Sequence, residues 1–266
     1  MPAGRGDQSP PRFLSGNQDE KRAAIRPHFV KYSAFTAAPG VVQYGPKGCD
    51  SMQFNTAVFD LDGTLLNTLD DLTDSVNHVM SAHGLPLHTA DEVRRYVGNG
   101  VPLLIERAVP AGTDGETYAQ CLAGFKAHYK KNMYHKTGPY PGIPELLAAL
   151  QAHGIRMAVV SNKFDAAVKG LCRRYYGDYI HVAIGERAGV RKKPAPDSVF
   201  AALRELGATP QEALYIGDSD VDIHTARNAG LVSVGVTWGF RDRALLEREG
   251  ARYIIDTPAQ LLDIIG

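Results

Sequence analysis

Residues 54–64 read FNTAVFDLDGT, a short apolar run that closes on Asp60-Leu61-Asp62-Gly63. An apolar run of this length, bounded by a turn residue, is the pattern of a strand buried on both faces. Beyond it, a helix is predicted from Leu69 to about His83, where Leu72, Val76, Val79 and Met80 recur at three- and four-residue spacing and give one apolar face. Thr68 followed by Asp71 reads as the start of that helix. Further helical pattern covers Val101–Val109 and Tyr118–Met133, and no strand candidate appears between about 66 and 138.

After that block the pattern alternates. Strands are predicted at Ile155–Val160, Tyr179–Ile184, Ala213–Ile216, Leu231–Val236 and Tyr253–Ile255, and helices at Asp165–Tyr175, Asp197–Leu206, Asp220–Ala229 and Ala244–Glu249. Strands alternating with helices imply a parallel sheet covered on both faces, an α/β fold of the Rossmann-like kind. The all-helical block interrupts that order after the first strand, so it is expected to be a cap inserted into the core. The expected organisation is a disordered or weakly ordered tail at 1–51, a core from 52–67 and 137–266, and a helical cap at 68–136.

The tail is rich in Pro, Gly, Ser and charge and has no sustained periodicity. Met52 stands just before the first strand, which suggests a translation start there. Asp7, Asp19 and Glu20 argue against a transit peptide.

Composition narrows the function classes. The 29 Lys and Arg balance the 29 Asp and Glu, so no overall basic field draws the chain to nucleic acid or an anionic membrane. No apolar run approaches the ~20 residues of a transmembrane helix, and the N-terminus lacks the apolar core of a secretory signal. The expectation is a soluble, cytoplasmic protein acting on a small molecule, monomeric or a homodimer. Cys49, Cys121 and Cys172 are far apart and lack metal-ligand spacing, as expected of free thiols in a reducing compartment.

In open parallel α/β sheets, ligands bind at the carboxyl ends of the strands. Just past the predicted strands stand Asp60-Leu61-Asp62-Gly63-Thr64, Ser161-Asn162-Lys163, Lys192-Lys193-Pro194 and Gly217-Asp218-Ser219-Asp220-Val221-Asp222. Carboxylates crowded on one edge repel strongly unless a cation lies among them. Hard oxygen donors suit Mg²⁺, which binds phosphate oxygens. A lysine, a hydroxyl and backbone amides complete a pocket for a transferring phosphoryl group. One carboxylate can attack phosphorus, and a second can move the proton of the leaving group.

DLDGTLLNT, VVSNK, KKPAPD and GDSDVD resemble the four ordered motifs of the haloacid dehalogenase superfamily, and the likeness runs from about 54 to 264. The resemblance implies that Asp60 is the nucleophile and Asp62 the general acid and base. It implies that Ser161 binds phosphate, with Asn162, Gly63 and Thr64 beside it, and that Lys193 neutralises phosphate and nucleophile. Asp218 would ligate Mg²⁺ with Asp60 and the Asp62 carbonyl, and Asp222 would be the last acid of the metal site, holding a metal-bound water or Lys193. An Asp at position 62 favours phosphatase over ATPase chemistry. A finer resemblance, to phosphoglycolate phosphatases, lies in YVGNGVPLLIERAV, YPGIPELLAAL, KKPAPD and GVTWGF. It implies Mg²⁺-dependent hydrolysis of 2-phosphoglycolate or a similar small phosphate ester through an aspartyl-phosphate on Asp60. The alternatives are a phosphomutase similar to β-phosphoglucomutase, a pyrophosphatase or broad sugar-phosphate phosphatase on the same core, and a non-enzymatic phosphate-binding module. Asn67 departs from the acid that many relatives carry there, and Trp238 and Phe240 read as packing residues.

Overall fold

The computed structural model describes residues 42–43 and 54–266. Its strands are β1 (Val42–Gln43), β2 (Thr56–Phe59), β3 (Leu66–Asn67), β4 (Gly138–Pro139), β5 (Arg156–Phe164), β6 (Val182–Glu186), β7 (Ala213–Gly217), β8 (Val232–Val236) and β9 (Tyr253–Ile255). Seven of them form one sheet in the order β1-β9-β8-β7-β2-β5-β6, and β3 pairs with β4. From β9 to β6 every pairing is parallel; only β1 is antiparallel, on β9. Val42 and Gln43 therefore carry strand structure inside the stretch expected to be an unordered tail. The rest of that expectation, with Cys49 and Met52, lies outside the described residues.

The sheet is buried on both faces because its side chains alternate. Ala57, Phe59, Val159, Leu214, Ile216, Val234 and Val236 join one apolar cluster, whereas Val58, Ala158, Val160, Ala213 and Tyr215 join another. Helices α5 (Ile143–Ala152) and α6 (Asp165–Tyr176) cover the first face, and α7 (Asp197–Leu206) and α8 (Asp220–Ala229) the second. Two short helices, α9 (Arg243–Arg248) and α10 (Leu262–Ile265), complete the C-terminal part. Cys121 and Cys172 are free and buried, small apolar residues in effect. No helix among the described residues is long and apolar enough to cross a membrane.

Between β3 and β4 the chain is helical: α1 (Leu69–Ala82), α2 (Ala90–Tyr96), α3 (Val101–Ala108) and α4 (Gly115–Asn132). Leu72, Val76, Leu104, Ile105 and Phe125 of this block belong to the same apolar cluster as the first sheet face.

Three helices fall outside the elements expected from periodicity: α2, α5 and the four-residue α10. Helix α2 is only seven residues long, yet it opens on a capping box, with the Thr89 side chain accepting from Glu92 N and the Glu92 side chain bonding back to Thr89. Helix α5 buries Ile143, Leu146, Leu147 and Leu150, a helical spacing that was present in the sequence. Strand β6 begins three residues later than predicted, because the amides of Tyr179 and Ile180 both close onto the Tyr176 carbonyl at 2.9 Å.

Helix α1 starts at Leu69 with Thr68 in the N-cap position, as expected, but no side chain of that pair caps it. The exposed Asn67 takes the Leu69 N–H at 3.3 Å. The Asp71 carboxylate is buried and reaches across the base of the helical block. It accepts the backbone N–H of Lys136 at 3.0 Å and of Thr137 at 2.9 Å, tying the chain's entry into the block to its exit. Replacing Asp71→Ala leaves those amides without an acceptor in a buried place, so a loss of about 2–3 kcal/mol is expected in urea unfolding. An unchanged midpoint would show that the clasp contributes nothing to stability.

Candidate active site

The parallel register puts three chemical segments at one level. Phe59 is paired with Val159 on one side and with Ile216 on the other, and the Asp60 amide donates to the Ile216 carbonyl at 2.8 Å. Ser161 and Asp218 then follow within two residues of those partners, on the two strands that flank β2. Asp60, Asp62, Ser161 and Asp218 line one cavity of ≈ 50 Å³, with Gly98, Val101 and Leu104 of the helical block forming part of its wall.

Asp60 is buried, and its Oδ1 accepts the Leu61 N–H at 2.7 Å and lies 2.9 Å from Lys193 Nζ. Lys193 Nζ also donates to Asp222 Oδ1 at 2.8 Å. Burial opposes the Lys193 charge, but Asp222 and Asp60 outweigh it and hold the ammonium well above the usual lysine range. Burial pushes the Asp60 carboxyl up from 3.8 to about 7; Lys193 pulls it down, while Asp222 and Asp62 push it further up. The Asp218 carboxyl is likewise pushed well above the carboxylate range, first by burial and then by Asp222 and Asp60.

Asp218 is held from three sides. The Phe240 N–H donates to its Oδ2 at 2.6 Å, and the Thr64 hydroxyl donates to its Oδ1 at 3.3 Å. Gly63 lies against it with φ +83°, and a Cβ there would run into the carboxylate. Glycine is needed at 63 for conformation and for space alike. Gly239 is constrained by space alone, since a Cβ on it would collide with the Asp218 side chain. Gly63 and Thr64 both act on Asp218.

Other expected residues also take more specific places. Asp222 has both oxygens committed, Oδ1 to Lys193 and Oδ2 to the Ser219 hydroxyl at 2.6 Å and amide at 3.1 Å. Of the two roles open to it, the anchor of Lys193 is the one its bonds describe. The Asn162 amide is fully used: Oδ1 accepts Lys193 N–H at 2.9 Å, and Nδ2 donates to the carbonyls of Lys193 and Gly98, each at 3.0 Å. It fastens the Lys193 loop and the helical block to β5, and Asn162 lines the cavity beside Ser161. Ser161, inside an extended β5 and buried, accepts the Lys163 N–H at 3.2 Å, which leaves its own O–H free to donate.

Lys163 and Arg241 carry no role expected from the sequence, and Trp238 and Phe240 were expected only to pack. Lys163 Nζ donates to Asp62 Oδ1 at 2.7 Å, and the Thr68 hydroxyl donates to the same oxygen at 2.6 Å. Burial opposes the Lys163 charge, but Asp62 and Tyr129 outweigh it and keep the ammonium above the usual lysine range. Trp238 is more than packing, because its indole N–H holds the Thr64 carbonyl at 3.0 Å. Arg241 donates to the carbonyls of Arg94 and Val97, each at 2.8 Å, pinning the end of α2 to the core. The signal for Lys163 was its place in VVSNK; for the others, only the fold brings GVTWGFR back to the site.

The donor set fits a divalent cation. Oxygens of Asp60, Asp218 and Asp222 lie within 4.8 Å of one another, and Lys193 is the one ammonium bonded to that group among the described residues. Three carboxylates against one ammonium leave two negative charges, which a divalent ion balances. Buried carboxylates in such company favour a hard ion such as Mg²⁺.

Comparison with known proteins agrees with this geometry. Residues 57–236 match the model of the haloacid dehalogenase-like hydrolases. The chain is 33% identical over 211 residues to a phosphoglycolate phosphatase of Pseudomonas putida, covering 77% of each chain. It is 36% identical over 201 residues to one of Mesorhizobium japonicum, covering 74% of this chain and 88% of the relative. A solved structure from Lactobacillus delbrueckii subsp. bulgaricus, provisionally assigned as a phosphoglycolate phosphatase, superposes with a TM-score of 0.77 at 33% identity, over 80% of this chain and 98% of that one. With a family model matched over most of its folded length and this arrangement of acids at the sheet edge, the chain belongs to the haloacid dehalogenase-like hydrolases.

Proposed function

We propose that the protein is a Mg²⁺-dependent phosphatase that hydrolyses 2-phosphoglycolate, or a closely similar small phosphate monoester, through an aspartyl-phosphate on Asp60. The observation that carries the reading is the meeting of Asp60, Asp62, Ser161 and Asp218 on one cavity, with Lys193 bonded to Asp60 from the side. The relatives' names favour phosphoglycolate.

Asp60, Asp218 and the Asp62 carbonyl would hold Mg²⁺, which when bound supplies the positive charge that draws phosphoryl oxygens into place. Lys193 screens Asp60 from Asp222 and so lowers the cost of ionising the nucleophile as an anionic substrate approaches. Ser161 donates its hydroxyl to a phosphoryl oxygen. Asp60 attacks phosphorus while the bond to the leaving oxygen breaks and Asp62 gives that oxygen a proton. A water then attacks phosphorus while Asp62 takes its proton, the P–O bond to Asp60 breaks, and inorganic phosphate leaves with the Asp60 carboxylate restored. The helical block, fastened by Asn162 and Arg241, closes the cavity over this chemistry and keeps bulk water out.

Asp60→Asn removes the attacking oxygen and is expected to lower phosphate release at least about a thousandfold. Intact-mass measurement after rapid quenching should show a phosphorylated wild-type chain and an unmodified variant. Turnover by the variant at the wild-type rate would refute the covalent route. A phosphate-release screen over phosphoglycolate, sugar phosphates, nucleotides and pyrophosphate tests the substrate, and hexose-phosphate interconversion without phosphate release would favour the mutase instead.

The raised Asp60 carboxyl gives a second test. Its value of about 7, against 3.8 in the unfolded chain, means that the folded state binds more protons than the unfolded one between those pH values. That stabilisation is complete below about pH 4 and is lost as pH rises through about 7. In EDTA the melting temperature should therefore fall between about pH 5 and about pH 8, and Mg²⁺ should raise it more at the higher pH. A melting temperature that rises over this interval in EDTA would contradict the carboxylate crowding.

A further inference from the structure

We propose that Lys163 is a positioning residue that fixes which oxygen of Asp62 transfers the proton, an inference that rests on reading Asp62 as the acid and base of a phosphatase. Lys163 Nζ lies 2.7 Å from Asp62 Oδ1, with its side chain 4% exposed. The Thr68 hydroxyl bonds the same oxygen at 2.6 Å. Among the described residues Oδ2 receives no hydrogen bond. An aspartate carboxylate turns readily about its last torsion, where the preference is broad and two-fold. Two donors on one oxygen stop that rotation and leave Oδ2 to do the chemistry.

Lys163 is itself held. Its ammonium sits 4.6 Å from the centre of the Tyr129 ring, and Tyr129 belongs to α4 of the helical block. A cation over an aromatic face is attracted to it, more strongly where water is excluded. On the other side the Lys163 amide bonds Ser161 Oγ, so one residue touches the expected phosphate-binding hydroxyl and the expected proton carrier. Asp62 is the one carboxylate paired with this ammonium among the described residues. A buried cation with a single acid partner is poor evidence of stabilisation, and its partner here is the acid that has to be aimed.

The chemistry predicts where the effect appears. As Asp60 bonds phosphorus and the ester P–O bond breaks, the proton on Asp62 Oδ2 passes to the leaving oxygen. A p-nitrophenolate leaves without that proton, whereas an alkoxide needs it. A misaimed Asp62 should therefore harm alkyl esters far more than the aryl ester.

The test measures kcat/KM, which reports steps through formation of the phosphoenzyme, for p-nitrophenyl phosphate and a series of alkyl phosphates including 2-phosphoglycolate. Lys163→Met is expected to lose about 100-fold on the alkyl esters and less than about tenfold on the aryl ester. Lys163→Arg, which keeps a donor, should recover part of the loss. Thr68→Val, which removes the second donor, should show the same split at smaller size, and it decides the matter if a thermal melt shows Lys163→Met to be unfolded. Equal losses on both ester classes in a folded variant, or no loss on either, would overturn the positioning role. Failure of the wild-type protein to release phosphate from any ester would instead sink the phosphatase reading itself.

Discussion

One ammonium holds the centre of this protein together. Lys193 lies within 2.9 Å of Asp60 and 2.8 Å of Asp222, and without it the carboxylates that follow β2 and sit on α8 would face each other with no cation between them. Charges so close and so buried repel by several kcal/mol even at an intermediate effective dielectric. A removable pair of this kind is weak evidence of stability. Its value is geometric: it lets the fold keep acidic groups from distant parts of the chain within a few ångströms. Asn162 secures the lysine's loop from both backbone sides, and Ser219 secures Asp222. Much of the polar structure around the cavity keeps that arrangement in place.

The same device recurs at the two acids of the first motif. Asp60 Oδ1 is held by an amide and an ammonium, and Asp62 Oδ1 by a hydroxyl and an ammonium. Each carboxylate has one oxygen fixed and one free of hydrogen bonds from the described residues. Preorganisation of this sort lowers the reorganisation needed at the moment of reaction. The helical block shares in it through Tyr129 at Lys163, through Gly98 at Asn162 and through the end of α2 at Arg241.

Much of the fold was legible before any coordinates. Strand and helix periods marked most elements to within a few residues, because burial on both faces forces continuous apolar strands and burial on one face forces helical spacing. Short elements escaped. Helix α2 has only Val93 buried, too little for a periodic signal, and its capping box was the clue. The strands β3 and β4 are two residues each, held by pairing rather than by pattern. Thr68 and Asp71 looked like a helix start from their spacing, yet their side chains serve partners at Asp62 and at Lys136–Thr137. Local spacing cannot register a donor 65 residues away.

The sequence by itself determined the chemical vocabulary: which acids, which hydroxyl and which lysine stand at strand ends, and so the family. It determined the alternation that makes a parallel sheet, since both depend only on residue type and local period. Tertiary structure decided the strand order β7-β2-β5 and hence which acids become neighbours. It turned Gly63, Thr64, Gly239 and Phe240 toward Asp218, committed Asp222 to Lys193, and paired Lys163 with Asp62. The physical reason is range. Hydrophobic period is written in neighbours three or four places apart, whereas hydrogen bonds and ion pairs act over about 3 Å of space, whatever the distance along the chain.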